Sequence, residues 1–391
     1  MFRQIFLRIA DGFNWLERAS RYLGSRKPNS VEPYILRQPT AAKPKATVVH
    51  VNGNFIIGGN TQLIVDLIER TSDQYSHEVV VPSYPRPLPY QPVNIHEYSI
   101  LQMPKLFEYL ESKRPDFIHM NYWVKHARRY GQRAVWFQSV FKICEELNIP
   151  VLQNITVPAQ PFISPVVRHN VFVSRFVAEN FNVDPDTPWS VIHPGSDFSH
   201  FRNDDIGSLP ANSIGMVYRL DRDKLNGEAI GVFITAVKKK PALTCHIVGD
   251  GPLFDLYRSR VKEEGLGRNF VFHGQVSYRQ LPKLYKSFSV FAAPVHDESF
   301  GQVTPFAMSM GQAVAGYDVG ALSEILGSNE TLVESGNVDK LSDLLVALTD
   351  DREKRVRLGE ANQKRAVKNF SVEMMIEKYS DLYARMLRND G

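Results

Sequence analysis

The sequence predicts an α/β protein of two domains, each built on a doubly wound parallel sheet. Short apolar, strand-like segments alternate with helix-like segments through residues 47–387, as is typical of parallel sheets. A polar, turn-rich stretch at 207–213 divides this alternation into two halves. The 391 residues are enough for two domains of ordinary size. We therefore expect a ligand cleft between the domains, at the carboxyl ends of the strands.

The composition is that of a globular protein, with 43% hydrophobic and 23% charged residues, which excludes disordered and fibrous chains. Two cysteines far apart, Cys144 and Cys245, exclude a disulfide scaffold and favour a reducing compartment. We expect a cytoplasmic protein. The sequence shows no cysteine and histidine cluster with the spacing of metal ligands, so we expect no metal cofactor.

Positive charge is concentrated in residues 1–45. This leader holds nine lysines or arginines against three acids, a balance of +6, whereas the whole chain is +4 and the remainder is therefore −2. A nucleic-acid-binding protein usually carries basic charge on the fold itself. The distribution therefore argues against a nucleic-acid partner.

The leader predicts an amphipathic helix followed by a linker. Phe2, Ile5, Phe6, Ile9 and Phe13 would form one apolar stripe on a helix. The stripe would lie either on an anionic membrane, holding the protein at the inner face, or against its own domain. We expect no membrane span, because no run of about 18 apolar residues occurs. We also expect no cleaved signal peptide, since charged residues interrupt the stretch. Four prolines in residues 24–45 indicate an extended linker.

The first α/β domain is assigned to residues 46–206. Its predicted strands lie at 47–51, 77–81, 94–98, 117–120, 150–154 and 169–174. The predicted helices between them begin at the glycine pair 58–59 and cover 104–112 and 134–147.

The second α/β domain is assigned to residues 207–370. Its predicted strands lie at 214–218, 243–248, 270–272, 290–292 and 313–317. Helical patterns follow at 351–369 and 372–387, and residues 371–391 are assigned to a last helix that crosses back to the first domain.

Four segments of the second half follow predicted strands and carry glycine or charge. They are 215–220 with Lys224, 248–252, 272–276 and 294–303. Each segment alone is typical of an ordinary loop between a strand and a helix. In this order, and with Gly58-Gly59, the 194–197 turn and Glu324, they resemble the retaining glycosyltransferases of family 4, which have the GT-B fold. The resemblance covers about residues 47–387 and implies two Rossmann-like domains facing across a cleft.

The resemblance implies a hexosyltransferase of polysaccharide biosynthesis that uses a nucleotide sugar, a UDP- or GDP-sugar. Arg219 and Lys224 match the pair that grips the donor diphosphate, and Glu298 matches the acid that binds the donor sugar. Cations suit this task because the diphosphate gains negative charge as it leaves. The remaining donor-binding positions are Gly249, Gly251, Val276, Phe300, Gly301, Gln302, Val303 and Phe306.

The acceptor, a glycan or a lipid-linked sugar, is expected on the first domain. The positions assigned to it are Gly58, Gly59, Asn60, His119 and Thr156. A glycine pair permits close backbone approach. For His119 the alternative is a core position at the end of an apolar strand.

Two positions depart from the family pattern. The second motif glutamate, which binds ribose, would fall at Phe306, and a common histidine would fall at Thr156. These departures keep open an alternative function, a non-catalytic GT-B module that binds glycan or partners an active transferase. Asp221-Arg222-Asp223 has the spacing of a manganese-binding pair, and we interpret both acids as loop residues.

Overall fold

The structure is a computed structural model that describes residues 34–36, 46–56, 58–91, 93–124 and 131–388. The expected amphipathic helix and most of the linker lie outside the described residues. Within them, no helix combines the length and the apolarity that crossing a bilayer would require.

The first domain contains nine strands and four helices among the described residues. The strands are β1 (Tyr34–Ile35), β2 (Ala46–Asn52), β3 (Tyr75–Val81), β4 (Tyr90–Gln91), β5 (Ile95–Glu97), β6 (Phe117–Tyr122), β7 (Val151–Ile155), β8 (Val167–Phe172) and β9 (Trp189–Val191). The helices are α1 (Gly59–Thr71), α2 (Met103–Lys113), α3 (Gly131–Leu147) and α4 (Arg175–Phe181).

Seven of these strands form one parallel sheet in the order β5, β3, β2, β6, β7, β8 and β9. Strands β1 and β4 form a separate parallel pair. Every residue of β6 is buried, because helices cover both faces of a doubly wound sheet. Helices α2 and α3 pack on one face, and α1 packs on the other.

The second domain contains six strands and seven helices. The strands are β10 (Ser213–Val217), β11 (Thr244–Val248), β12 (Phe270–Gly274), β13 (Val290–Ala293), β14 (Ala313–Tyr317) and β15 (Leu332–Val333). The helices are α5 (Ala229–Lys239), α6 (Phe254–Glu263), α7 (Leu281–Tyr285), α8 (Val303–Ser309), α9 (Leu322–Leu326), α10 (Val338–Asp350) and α11 (Arg352–Phe370). Across both domains, short 3₁₀ turns lie at Ile100–Gln102, Ile206–Ser208, Gly267–Asn269 and Tyr278–Gln280.

The second sheet is also parallel, in the order β12, β11, β10, β13, β14 and β15. The sequence therefore predicted the fold class correctly: two Rossmann-like α/β domains. A last helix, α12 (Val372–Arg388), packs against the first domain, where Met375, Tyr379 and Tyr383 join its core.

Candidate active site

The candidate site lies where the strand order of the second sheet reverses. The chain leaves β10 toward β11 on one side, whereas β13 pairs with β10 on the other. Ligands of open parallel sheets bind outside the carboxyl ends of the strands at such a point. The loops that follow β10 and β13 carry Arg219 and Lys224, and Glu298, respectively. The topology thus brings the three predicted catalytic residues to one edge of the sheet.

Glu298 and Lys224 form an ion pair inside this edge. Lys224 Nζ donates to Glu298 Oε1. The Glu298 side chain is fully buried, and its Oε2 has no hydrogen-bond partner within the described part of the chain. Ala321 N donates to the Glu298 carbonyl at 2.9 Å. The carboxylate is therefore fixed in place, with one unpartnered oxygen, between residues 297 and 299 that line the inter-domain cavity.

Arg219 lies at the same edge and is more exposed to solvent than Glu298 and Lys224. Its side chain is 62% exposed, and Nη2 forms an ion pair with Asp223 Oδ2. Asp221 Oδ2 lies 4.0 Å from Arg219 Nε. The guanidinium is therefore neutralised by acids of its own loop and remains accessible to an anion from solvent.

Gly249 and Gly251 hold the loop that carries Arg219. Their φ angles of 127° and 149° lie in the region that glycine alone adopts readily. A Cβ at Gly249 would collide with the carbonyl oxygen of Tyr218, and one at Gly251 would lie 2.5 Å from that of Leu220. The close approach allows backbone hydrogen bonds of 3.0 Å from Tyr218 N and Leu220 N to the 248–250 turn. Both glycines therefore allow the close backbone approach that positions the loop.

Tyr218 lies below this loop and is a feature that the sequence did not reveal. Burial raises the pKa of its phenol well above the usual range, and the neighbouring Glu298 carboxylate adds to the shift. The hydroxyl is therefore neutral at physiological pH. It interacts with the hydroxyl of Thr304 in the first turn of α8, which is also buried. Both are buried polar groups beside the site, of the kind that hydrogen-bond to water or ligand.

The segment before α8 connects the two domains. Gly301 has a φ of 63°, and a Cβ there would collide with the Glu298 carboxylate. Gln302 Nε2 donates to the carbonyl of Gly195 at 2.7 Å. Its Oε1 lies 3.1 Å from where a Cβ on Gly59 would stand. Gln302 thus contacts the glycine pair predicted for the acceptor side.

The other predicted donor positions near this segment make contacts within the protein. Phe300 stacks on His193, with ring centroids 5.1 Å apart. The carbonyl of Val303 accepts a hydrogen bond from the Tyr285 hydroxyl at 3.1 Å. Val276 is half-buried and packs against the core of the second domain.

Phe306 lies in an aromatic cluster formed with Phe198, Phe201 and Tyr278. Its ring centroid is 4.1 Å from that of Phe201 and 5.8 Å from that of Tyr278. The residue is only 8% exposed and is not among the residues that line the inter-domain cavity. Phe306, assigned from the sequence to the donor-binding positions, thus packs inside the second domain and does not reach this cavity. Its apolar side chain is stabilised by three aromatic neighbours from distant segments.

A cavity of about 290 Å³ separates the two domains at this point. Its walls come from both domains: Asn54, Asn60, Trp123, Val157, Pro158, Arg219, Asp223, Lys224, Asp297 and Ser299. The first-domain residues follow β2, β6 and β7, so both sheets present their carboxyl ends to the cavity. Asn54, Trp123 and Asp297 escaped prediction from sequence, although their position just after buried strands is the signal that could have found them.

The structure places only some of the predicted acceptor residues at the cavity. Asn60 lines the cavity. Thr156 is buried, and its hydroxyl donates to the carbonyl of Tyr122 at 3.4 Å, while the next two residues, 157 and 158, line the cavity. A Cβ on Gly58 would meet no atom within 4 Å, and its φ of 167° is extended backbone. Local packing therefore does not require glycine at 58.

His119 does not reach the cavity. It is fully buried under α12, and its Nδ1 lies 2.6 Å from the Tyr383 hydroxyl. Burial lowers the pKa of its imidazole to about 3. The assignment of His119 to the acceptor side is therefore corrected to its alternative, a core histidine.

Comparisons with known proteins agree with this geometry. Residues 208–365 match the family model described as "Glycosyl transferases group 1". The D-inositol 3-phosphate glycosyltransferase of Corynebacterium efficiens is 26% identical over 69% of this chain and 71% of its own length.

Two solved structures share the architecture. Sucrose-phosphate synthase of Thermosynechococcus elongatus superposes with a TM-score of 0.71 and 18% identity over 88% of this chain and 100% of that one. HepE of Anabaena, solved with UDP and glucose, gives a TM-score of 0.68 and 16% identity over 87% of this chain and 99% of that one. The second domain of this chain is therefore similar to glycosyl transferases group 1 over residues 208–365, and the chain is a glycosyltransferase with two Rossmann-like domains in the GT-B fold.

Proposed function

We propose that the protein transfers a hexosyl group from a UDP- or GDP-sugar to a hydroxyl of a glycan or lipid-linked acceptor, with retention of anomeric configuration. The observation that carries this proposal is that Arg219 and Lys224 line one wall of the inter-domain cavity, with the buried Glu298 paired to Lys224 directly behind it. Two cations suit the diphosphate, and a fixed carboxylate suits the sugar hydroxyls. The HepE structures with UDP and with UDP-glucose support a nucleotide sugar as the donor.

The proposed reaction breaks the bond between the sugar C1 and the oxygen of the donor β-phosphate. The acceptor oxygen bonds to C1 on the same face of the ring, and its proton passes to the leaving phosphate oxygen. Arg219 and Lys224 stabilise the charge that develops on the diphosphate, and so assist the step through electrostatics. Glu298 holds the sugar in position for attack.

The donor is proposed to lie against the second domain, and the acceptor against the first. Asn54, Asn60 and Trp123 form the facing wall of the cavity. Asn52 Oδ1 accepts a hydrogen bond from Trp123 Nε1 at 3.1 Å, which fixes the indole as a flat surface. Aromatic faces and amides suit a sugar, because a sugar has apolar faces and many hydroxyls.

A non-catalytic sugar-binding module is the competing function, and Phe306 and Thr156 favour it. Phe306 offers no acceptor for ribose hydroxyls, and its ring is occupied by aromatic packing. The occurrence of Arg219, Lys224 and Glu298 together favours catalysis, because two cations beside a carboxylate suit a leaving diphosphate and not the binding of a glycan alone.

A thermal-shift panel of uracil, guanine, adenine and thymine diphosphates and their sugars tests the proposal. A ligand that binds only the folded protein raises its melting temperature. We expect a rise with a uracil or guanine nucleotide, and NMR of the transfer product should show the anomeric configuration of the donor. No shift with any nucleotide would refute the donor site. Binding without transfer to any glycan acceptor would favour the non-catalytic module.

A further inference from the structure

The loop that carries Arg219 contains its own anion. Arg219 Nη2 is paired with Asp223 Oδ2, four residues along the chain. The loop is held by backbone hydrogen bonds from Asp221 N to the Arg219 carbonyl at 2.8 Å and from Leu225 N to the Asp221 carbonyl at 3.0 Å. Arg219, Asp223 and Lys224 all line the inter-domain cavity. A carboxylate therefore contacts the guanidinium on the wall proposed to receive the donor diphosphate.

The two ion pairs of the cavity differ in how easily they can separate. Glu298 is fully buried, so removing Lys224 from it would leave a carboxylate without a counter-ion. The side chain of Asp223 is 33% exposed and that of Arg219 is 62% exposed. Such a partly exposed pair contributes little stability and exchanges partners at low cost. The Asp223 contact is thus the one that a diphosphate would replace.

We propose that Asp223 sets the affinity for the donor by occupying Arg219 in the empty site and giving way when the diphosphate binds. This inference rests on the proposed function. The Asp223 carboxylate occupies the position that a phosphate group would take. It holds the guanidinium in place on the cavity wall and competes with the ligand for the same N–H groups of Arg219. Its charge also repels the diphosphate. Both effects weaken binding of the donor and of the leaving nucleoside diphosphate, so release of the product is favoured.

Replacing the carboxylate by an amide separates this role from packing. Asp223→Asn keeps the shape of the side chain and removes its charge, and Asp223→Ala removes the contact altogether. Asp221→Asn is the matched control for charge alone, because it removes the same charge at 4.0 Å from Arg219 Nε and leaves the Asp223 contact with the guanidinium intact. Asp221 Oδ1 accepts from Arg222 N at 2.6 Å, a hydrogen bond that the asparagine oxygen retains. Asp221 does not line the cavity.

Calorimetric titration with UDP, GDP and inorganic pyrophosphate provides the test, at low and at high salt. We expect Asp223→Asn and Asp223→Ala to bind UDP or GDP, and pyrophosphate, about three- to tenfold more tightly than the parent. The gain should shrink at high salt, since it is electrostatic. Asp221→Asn should stay within about twofold of the parent.

The results that overturn the inference are distinct from those that overturn the function. Equal or weaker binding by both Asp223 variants, with a parent that binds, would refute the role of Asp223 alone. An equal gain from Asp221→Asn would also refute it, because loop charge in general would then be the cause. No binding by the parent or any variant would refute the donor site, and the inference with it.

Discussion

Glu298 and Lys224 show at the scale of single residues how a buried charge is kept and used. The carboxylate is fully buried and has one paired oxygen. Taking a carboxylate out of water is costly, so the structure retains it only with a counter-ion. The second oxygen has no partner among the described residues, and we propose that it accepts a hydrogen bond from a hydroxyl of the donor sugar.

Glu298→Gln should therefore impair turnover more than binding. The amide keeps the size of the side chain but weakens its hydrogen bonds to hydroxyls. We expect the rate of transfer to fall by about 10²-fold or more, while affinity for the bare nucleoside diphosphate changes by less than about threefold. Steady-state kinetics and calorimetry on the same preparation measure both. An equal loss in diphosphate affinity would show that Glu298 serves the nucleotide or the fold.

Phe306 is the residue whose environment differs most from the expectation. Its ring packs on Phe201 and Tyr278, so Phe306→Ala should lower the free energy of unfolding by about 3–5 kcal/mol. Phe306→Glu should lower it at least as much, because a carboxylate would be buried among aromatic rings. Urea unfolding monitored by circular dichroism measures both changes. If Phe306→Glu is as stable as the parent and binds nucleotides more tightly, then position 306 lies at the nucleotide site and not in the aromatic core.

The last helix packs over a cluster of buried histidines in the first domain. Helix α12 covers His119, whose ring centroid lies 5.2 Å from those of His50 and Tyr379. His50 Nε2 is 3.0 Å from His77 Nδ1, and His77 Nε2 is 2.9 Å from Thr71 Oγ1. Among the described residues, the phenols of Tyr75, Tyr379 and Tyr383 also contact His119 or His77.

Burial lowers the pKa values of these histidines, to about 4 for His77, about 3 for His119 and well below the usual value for His50. Below about pH 6.5 the unfolded chain therefore binds protons that the folded chain does not. Stability should thus fall as the pH drops from about 6.5 toward 4, by up to about 1.4 kcal/mol per pH unit for each histidine. Asp66 opposes this trend, because burial raises its pKa to about 7.

Comparison of variants isolates the contribution of His119. His119→Leu should reduce the loss of unfolding free energy between pH 6.5 and 5 by the contribution of one histidine, up to about 1.4 kcal/mol per pH unit. Tyr383→Phe removes the hydroxyl partner but no titrating imidazole, so it should lower stability and keep the slope. Urea unfolding at several pH values gives both quantities. An unchanged slope in His119→Leu would mean that His119 titrates normally in the folded protein.

Elements were easier to predict from the sequence than the contacts between them. Apolar strands buried on both faces leave a clear pattern, so the strands at 117–120 and 313–317 were found within two residues of their observed bounds. Arg219 and Glu298 could be brought together because parallel strands share one edge for their following loops. Phe306 and His119 could not be placed in this way. Their neighbours, Phe201 and Tyr383 among them, come from distant segments, and no local pattern encodes that packing.

At the scale of the whole molecule, specific polar contacts hold the two domains together beside the cavity. Glu324 of α9 accepts hydrogen bonds from Arg175 N and Phe176 N, at 2.9 and 3.1 Å, and its carboxylate lies 2.7 Å from His193 Nε2. These contacts tie the second domain to the first turn of α4, where a carboxylate is favoured by the free amides. Together with Gln302, they fix the distance across which donor and acceptor would meet.

The basic leader is proposed to attach the whole molecule to an anionic membrane. Deletion of residues 1–27 should reduce sedimentation with vesicles of anionic phospholipid, and vesicles of neutral phospholipid serve as the control. Binding of the intact protein should weaken with added salt, because arginines would face the headgroups. A fall of many degrees in melting temperature on deletion would instead place the helix in the core, and the membrane proposal would be withdrawn.

The affinity of the nucleoside diphosphate for Arg219→Ala, measured by calorimetry beside the parent, tests the proposed donor site most directly. Arg222→Ala is the matched control, since Arg222 lies exposed in the same loop and does not line the cavity. We expect the parent to bind UDP or GDP, Arg219→Ala to bind it at least about tenfold more weakly, and Arg222→Ala to match the parent. Equal affinities for the parent and Arg219→Ala would contradict the assignment of the donor site.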